Sequence, residues 1–239
     1  MPPVSAIIIG RFNIGEADRI LTIFTREQGK MRVSARAVRR IKSRLAGHVE
    51  LFSETQLWLH EGKTLNSVSS AQLTRGANDW LHRPDRMNLA YLMAQLLDRL
   101  SAEGESQPEL YLLALELITE LSGELPSPLL ELGLKLRFLN DLGYRPELGG
   151  CIICGSAHES SDFFLSPERG GLVCEVCRVG GYPFSKRAIK LWRLALDAPL
   201  SALHGIAAGE SEARDSLELL DQFYEYHFGR RFTGQPLGV

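Results

Sequence analysis

Four cysteines are the residues of this chain whose spacing most directly indicates chemistry. Cys151 and Cys154 form one Cys-x-x-Cys pair, and Cys174 and Cys177 form a second pair after 19 intervening residues. Two such pairs at this separation are typical of knuckles that offer four thiolates to one tetrahedral zinc ion. Because all four coordination positions would be filled, no position stays open for water, and the predicted zinc is structural rather than hydrolytic.

Two alternatives to a four-cysteine zinc site stay open at this point. The thiols could be free and buried or could pair as two disulfides, although a cluster confined to positions 151–177 fits metal binding in a reducing compartment better. His158 or His204 could replace a cysteine as ligand, but lone histidines are more often ordinary surface or core residues. Gly155 and the pair Gly170-Gly171 are expected to let backbone N–H groups turn toward the sulfurs.

A second group of functional residues is a run of cations between Arg26 and Arg44. Eight Lys or Arg side chains stand there against the single acid Glu27. Such a density predicts a surface that neutralises phosphates, binds nucleic acid without regard to base sequence and loses affinity steeply with salt. A solvated loop without a partner is the alternative interpretation. Phe12, Phe24, Phe52 and Trp58 are the aromatic residues available for base stacking, and we expect them in the core rather than on a platform.

The charge of the chain is unevenly distributed. Its formal net charge is −2, yet residues 1–80 hold 12 basic against 7 acidic side chains, a net +5, whereas residues 81–239 hold 15 against 22, a net −7. The basic surface is therefore concentrated in the first third of the sequence. No apolar run is long enough to cross a bilayer and no charged-then-apolar signal segment opens the sequence, so we expect a cytoplasmic protein.

The first 75 residues read as five short strands rich in β-branched side chains and separated by glycine-containing turns. The predicted strands are Val4 to Ile9, Ile20 to Thr25, Met31 to Ala35, Leu51 to Leu59 and Thr64 to Ser70. Five strands with a long third-to-fourth connection suit a small OB-type barrel, although a five-stranded sandwich would give the same pattern. The cation-rich segment would then lie on the third strand and the loop that follows it.

From Pro84 onward the hydrophobic period becomes helical. Helices are predicted over residues 87–103, 109–122, 128–142, 185–197 and 210–228. Pro108, Pro126 and Pro128 lie where helices start or stop, and Ser185 is a predicted N-cap. The sequence therefore predicts an α+β protein. An OB-fold nucleic-acid-binding domain would cover residues 1–80, and a helical domain would cover residues 81–239 with the zinc finger inserted at about 144–183.

Taken together, these segments resemble the RecO family across nearly the whole chain. The resemblance depends on the order and spacing of several motifs. They are GEADRILTIFT at 15–25, QGK at 28–30, RRIKSRL at 39–45, FLNDLGYRPEL at 138–148, which runs into the first cysteine knuckle, and GGLVC at 170–174. The chain departs from the family pattern at Arg36-Ala37, where relatives often have Lys-Gly, and at Arg230 to Gly234, which replaces a basic, serine-containing ending.

The resemblance implies a DNA repair and recombination mediator rather than an enzyme. Such a protein binds single- and double-stranded DNA, anneals complementary strands and helps to load RecA onto gaps coated by single-strand-binding protein, associating with the nucleoid during repair. Its partners would be RecR, in some cases RecF, and the C-terminal tail of single-strand-binding protein, with Lys135 and Arg137 as candidate contacts of that tail. The DNA-binding residues implied by position are Arg36, Arg39, Arg40, Lys42 and Arg44, and Lys30 and Arg32 extend this predicted set.

Two other classes of function are weighed against a mediator. A metal-dependent nuclease or deaminase would need a carboxylate cluster or a His-x-Glu element just ahead of its Cys-x-x-Cys, and His48 and Glu50 lie far upstream. Glu16 and Asp18 are expected to be turn residues that join the first two strands, with Asp18 or Glu16 pairing with Arg19 or a loop cation. A protein-interaction scaffold, in which the helical body is the functional surface, is the other alternative.

Overall fold

The computed structural model describes residues 2–77, 80–123, 126–157, 162–204, 206 and 210–236. The chain forms two compact units. The first unit comprises residues 1–125 with 233–239, and the second comprises residues 126–232. This grouping places the first two helices with the barrel, whereas the sequence divides the chain at residue 80; the domain boundaries stay a prediction. Among the described residues, no helix combines the length and apolar character that a membrane crossing requires.

The first unit begins with a closed five-stranded barrel. Its strands are β1 (Val4–Ile14), β2 (Asp18–Thr25), β3 (Gly29–Ala35), β4 (Glu54–His60) and β5 (Asn66–Arg75). Neighbours pair in the order β1-β2-β3-β5-β4, and β4 returns to β1. All pairs are antiparallel except β3 and β5, which are parallel. The closed pairing confirms the predicted barrel and excludes the open sandwich.

The barrel core consists of side chains that alternate with outward-facing ones along each strand. Leu21, Ile23, Val33 and Leu57 are among its buried members. The predicted fourth strand began too early, since Phe52 has a left-handed backbone with φ 62° and β4 starts only at Glu54. The long β3–β4 connection was correctly predicted, and it includes a single 3-10 turn at Ala46–His48.

Two helices, α1 (Pro84–Leu100) and α2 (Pro108–Ser122), complete the first unit. The connection between them packs on the β2–β3 turn, where Gly104 N donates to Lys30 O at 3.0 Å. Gly29 in that turn has φ +63°, and a Cβ there would lie 1.8 Å from the Glu105 carbonyl oxygen. Only glycine therefore allows this close approach of two backbones.

The second unit contains four helices and a small sheet among its described residues. Its elements are α3 (Pro128–Asp141), β6 (Phe163–Ser166), β7 (Gly171–Cys174), β8 (Tyr182–Phe184), α4 (Lys186–Asp197), α5 (Leu200–Leu203) and α6 (Glu210–Phe228). Helix α3 packs against α4, α5 and α6, and the antiparallel sheet has the order β7-β6-β8. The Ser185 hydroxyl accepts a hydrogen bond from Ala188 N at 3.0 Å, which confirms the predicted N-cap. The three short strands and α5 were not predicted.

Candidate nucleic-acid interface and metal centre

The outer face of β1, β2 and β3 carries the first part of the cation-rich segment, which continues into the loop after β3. Because Leu21 and Val33 point into the core, their neighbours along each strand point outward. The strand register brings Phe12, Ile20 and Ser34 into one outward row. Thr22 and Arg32 lie opposite each other in the next row. In OB-type barrels, the face of strands 2 and 3 together with the β1–β2 and β4–β5 loops is the usual site for oligonucleotides.

The loop after β3 is fastened to the tip of the β1–β2 hairpin by three hydrogen bonds. Ala37 N donates to the Asp18 carboxylate at 2.7 Å. Arg39 donates twice, through its backbone N to Ala17 O at 2.9 Å and through its guanidinium to Gly15 O at 3.2 Å. Val38, between these donors, is buried in the barrel core. The start of the loop is therefore fixed in position, and the cations at residues 40–44 follow directly after it.

Asp18 has a different role from the one expected from the sequence. Its carboxylate accepts from a backbone N–H of the loop rather than pairing with Arg19 or a loop cation. That bond holds Ala37 at φ 53°, a left-handed conformation that costs an alanine free energy. The glycine that relatives often have at this position would adopt it without strain. The departure from the family pattern at Ala37 is thus located at a backbone position that favours glycine.

The predicted DNA-binding side chains fall into two groups. Five are exposed and make no hydrogen bond or ion pair with any residue that the structure describes: Arg32, Arg36, Arg40, Lys42 and Arg44. The other two are engaged, since Arg39 is bonded to Gly15 O and Lys30 is only partly exposed. The Lys30 ammonium donates to Asp98 O and lies 3.9 Å from the Asp98 carboxylate in α1. The structure therefore brings together five solvated cations on one strand and its following loop.

Two further arginines on the β1–β2 hairpin were not among the predicted site residues. Arg11 and Arg19 both form ion pairs with Glu50, which follows the short 3-10 turn. Burial, followed by the nearby charge of Arg11, lowers the pKa of Arg19. Glu50 partly neutralises this pair, so the free positive charge is concentrated beyond it in residues 36–44. No feature of the sequence identifies Glu50 as their partner, because Glu50 is more than 30 residues away from both arginines in the sequence and meets them only in the folded chain.

The four aromatic side chains considered for stacking have different environments. Phe24 and Phe52 are fully buried, and Phe52 stacks on Trp80 with ring centroids 5.9 Å apart. Trp58 is partly buried. Phe12 is 48 % exposed, so the expectation that it belongs to the core is wrong. Strand β1 extends beyond the barrel rim to Ile14, and this extension places Phe12 outside the core.

The four cysteines come together in the second unit. Their sulfur atoms all lie within 4.8 Å of one another, and among the described residues no other group of His, Cys, Asp or Glu side chains could hold a metal ion. Cys154 Sγ and Cys174 Sγ are 3.7 Å apart, close to the roughly 3.8 Å expected between two thiolates on one tetrahedral zinc. This separation is far longer than a disulfide bond. All four thiols are free, so they could hold one metal ion.

The backbone around the cysteines favours a thiolate at Cys151. Burial opposes ionisation of Cys151, but N–H groups of Cys174, Cys154 and Ile153 lower its pKa to about 6. A hydrogen bond with Cys154 raises the pKa of Cys177 to about 12, as expected when neighbouring sulfurs share protons. The glycines near the knuckles were predicted to turn backbone N–H groups toward the sulfurs, and only the turn itself is confirmed. Gly155 has φ +72°, but its N–H bonds to Cys151 O rather than to sulfur.

Short local elements position the two knuckles. Cys174 ends β7, and Cys177 N donates to Cys174 O at 3.1 Å to close the second knuckle. The first knuckle is tied to β7 because Ile152 N donates to Leu172 O at 2.9 Å. His204 is half-buried at the end of α5 and does not belong to the cysteine cluster. The alternative ligand His158 lies outside the described residues.

The predicted tail contacts in α3 do not form an exposed basic site. Lys135 is 1 % exposed, and its ammonium lies 2.9 Å from the Asp221 carboxylate and 3.1 Å from that of Glu131. A buried ammonium that already has two carboxylate partners cannot receive an acidic peptide from solvent. Placing Lys135 at such a contact is therefore wrong. Arg137, two residues further along, is half-buried.

These features define a class of protein: an OB-type barrel with a cationic outer face, linked in one chain to a helical unit with a four-thiol cluster. Two family models match the chain, "Recombination protein O N terminal" over residues 3–77 and "Recombination protein O C terminal" over residues 81–236. The chain therefore belongs to the recombination protein O (RecO) family.

Several curated relatives carry the same family name. A protein named DNA repair protein RecO from Desulfitobacterium hafniense (strain DSM 10664 / DCB-2) is 30 % identical over 239 residues, covering 98 % of this chain and 87 % of the relative. One from Roseiflexus sp. (strain RS-1) is 36 % identical over 199 residues, or 82 % of this chain and 70 % of the relative. A third, from Dehalococcoides mccartyi (strain ATCC BAA-2266 / KCTC 15142 / 195), is 32 % identical over 190 residues, covering 79 % and 75 %.

Proposed function

We propose that this protein is a DNA repair and recombination mediator that binds single- and double-stranded DNA and anneals complementary strands. One observation carries the proposal: five solvated cations lie on β3, one of the two strands whose face binds oligonucleotides in OB-type barrels, and on the following loop, which is fixed to the β1–β2 hairpin. Free cations of this density lower the free energy of phosphate binding through release of condensed counterions. Arg32, Arg36, Arg40, Lys42 and Arg44 are the proposed principal contacts.

The engaged cations have secondary roles in this proposal. Arg39 fixes the loop to the hairpin and can still present part of its guanidinium to a phosphate, because it remains exposed. Lys30 has a weak role in phosphate binding, because its ammonium is already engaged by Asp98 and its charge is partly neutralised there. Both belong to the predicted DNA-binding set, and Lys30 is expected to matter least.

The mechanism of annealing is electrostatic and requires no covalent step. Two complementary strands repel each other through their phosphates, and cations that neutralise both strands reduce this repulsion while the bases pair. On a gap coated by single-strand-binding protein, the same contacts compete for the strand and assist RecA loading. The proposed partners are RecR, in some cases RecF, and the C-terminal tail of single-strand-binding protein. The proposed location is the cytoplasm, with nucleoid association during repair.

One zinc ion is the proposed cofactor, with Cys151, Cys154, Cys174 and Cys177 as ligands. Thiolates are the preferred ligands of structural zinc, and the short distance between the sulfurs suits tetrahedral coordination. With four protein ligands the ion has no open position, so it would crosslink the two knuckles rather than activate water. We also propose the division into an OB domain over residues 1–80 and a helical domain over residues 81–239 with the zinc module at about 144–183.

Annealing of fluorescent complementary oligonucleotides tests this function. The assay uses the purified full chain, with and without single-strand-binding protein, at two salt concentrations and without nucleotide or added metal. We expect salt-sensitive annealing that persists on coated strands and falls when Arg36, Arg40, Lys42 and Arg44 are all replaced by glutamine. Unannealed, intact strands would favour a protein-interaction scaffold, and shortened strands would favour an enzyme; either result would refute the proposal.

A matched variant controls for the loss of net charge. Arg83, Arg169, Arg187 and Lys190 are exposed cations outside the proposed interface, and their replacement by glutamine changes the net charge by the same four units. If annealing fell equally in both variants, the effect would come from overall charge rather than from the loop. Annealing that falls only in the loop variant would support the proposed site.

A further inference from the structure

Phe12 is an exposed aromatic side chain beside the proposed phosphate-binding cations. It is 48 % exposed, and it has no ring contact with another described aromatic residue. Ile14, two residues further along the same face of β1, is 43 % exposed, and Ile41 in the loop is fully exposed between two cations. Phe12 and Ile14 thus form a small exposed apolar patch near free cations, which suits a partner that has both charge and apolar faces.

The register places this apolar patch on the outer face that also carries Arg32. Phe12 pairs with Ile20 in β2, and Ile20 pairs with Ser34 in β3. Arg32 lies on the same face, one outward row away. Strand spacing and rise place the Cα atoms of Phe12 and Arg32 roughly 12 Å apart. One short segment of nucleic acid could therefore contact the ring and the guanidinium together.

The loop that carries the other free cations is fastened to the hairpin turn next to Phe12 and Ile14. Arg39 bonds to Ala17 O and Gly15 O in the hairpin turn that follows Phe12 and Ile14. The fastening sets the start of the 36–44 loop beside the hairpin tip rather than at the opposite rim of the barrel. Charge complementarity therefore favours a polyanion as the partner of this face over an apolar protein surface.

We infer that Phe12 is a base-stacking residue for single-stranded nucleic acid, with phosphates held by Arg32 and the free loop cations. The inference rests on the proposed function, since it assigns a role beside the proposed phosphate contacts. In a duplex each base is already stacked between its neighbours, so an aromatic ring gains contact only with unpaired bases. Phe12 would then give the face a preference for single strands that phosphate contacts alone do not provide.

Binding of labelled oligonucleotides to Phe12→Ala and Phe12→Leu tests this inference. The probes are a dT single strand, a hairpin duplex of matched charge and a single strand with abasic sites, all at one low salt concentration. We expect Phe12→Ala to weaken dT binding by about 5- to 150-fold. Duplex and abasic binding should change by less than about twofold, because phosphate contacts are unaltered. Phe12→Leu keeps apolar bulk without an aromatic face, and its dT affinity should fall nearly as far.

Leu112→Ala is the matched control because Leu112 is an exposed apolar residue on α2, 53 % exposed, in the same compact unit. It should leave all three affinities unchanged. Equal losses on dT, duplex and abasic probes in Phe12→Ala would show a general effect on the loop and would overturn the stacking role. Unchanged dT affinity would overturn it too and would favour a protein partner at this face. If the wild-type chain bound none of the probes, the proposed function itself would fail.

A tryptophan at the same position gives a second readout. In Phe12→Trp, stacking on a base should quench the added indole fluorescence when dT is titrated, and the abasic probe should produce no such quenching. Absence of quenching at saturating dT would contradict stacking even if the affinities had changed. The affinity and fluorescence measurements thus separate contact with bases from effects transmitted through the loop.

Discussion

Removing the four free cations of the β3–β4 loop should change the salt dependence of DNA binding more than any other property. The perturbation is the combined replacement of Arg36, Arg40, Lys42 and Arg44 by glutamine. These side chains are exposed and lack hydrogen bonds or ion pairs with other described residues, so their loss should leave the fold intact. Arg39 is retained because it fixes the loop to the hairpin.

The magnitude follows from the number of phosphate contacts. Each neutralised phosphate contributes about −0.7 to the slope of log affinity against log salt for single strands, and about −0.9 for duplex DNA. If all four cations contact phosphates, the slope should become shallower by about 2.8 for single strands and about 3.6 for duplex. Between roughly 50 and 200 mM salt, the wild-type chain should lose about 50-fold more single-strand affinity than the variant does.

Fluorescence anisotropy titrations at four or more salt concentrations measure this slope. The variant lacking Arg83, Arg169, Arg187 and Lys190 has the same net charge and should retain the wild-type slope to within about 1. Equal slopes for the loop variant and the wild-type chain would refute the assignment of these cations to phosphates. A slope that changed equally in both variants would show that the long-range field, rather than the loop, governs binding.

Three further predictions concern the stability of the two units. Ala37→Gly should raise the free energy of unfolding by about 0.5 to 1 kcal/mol, because it relieves a left-handed alanine; an unchanged or lower urea midpoint would contradict this explanation. Lys135→Met should lower that free energy by about 2 kcal/mol, because two partly exposed carboxylates lose their partner. The double variant Lys135→Met with Asp221→Leu should recover part of this loss. If the effects of the two substitutions on stability were purely additive, the ion pair would not contribute. Cys174→Ser should abolish binding of one zinc per chain, and chelation of the wild-type protein should lower its melting temperature; metal analysis and calorimetry check both, and an identical melting temperature without metal would exclude a structural role.

The linear pattern of the sequence predicted the elements well where the determinant is local. Short β-branched runs separated by turns predicted all five barrel strands, and helical periodicity predicted α1 to α4 and α6 to within a few residues, with prolines at the starts of α2 and α3. The Ser185 cap was predicted because a capping hydroxyl acts on an N–H only three residues away. The short strands β6 to β8 escaped prediction, since three or four residues are too few to show a period.

The cysteine cluster shows which features of a site the spacing of residues in the sequence can predict. Two Cys-x-x-Cys pairs predicted a common site, and the sulfurs do converge within 4.8 Å. Spacing did not reveal which N–H groups reach the sulfur of Cys151, because one of them, that of Cys174, comes from the other knuckle. Such contacts between segments distant in sequence depend on tertiary packing.

By itself, the sequence determined the charge asymmetry, the five-strand and helical pattern, and the pairing of two cysteine knuckles, because composition and short-range spacing specify them. Only the tertiary structure decided which residues of each set are available. It buried Lys135 between two carboxylates, occupied Lys30 with Asp98, and left Phe12 on an exposed extension of β1. Exposure and pairing depend on residues from distant segments that meet only in the folded chain, so no local pattern can encode them.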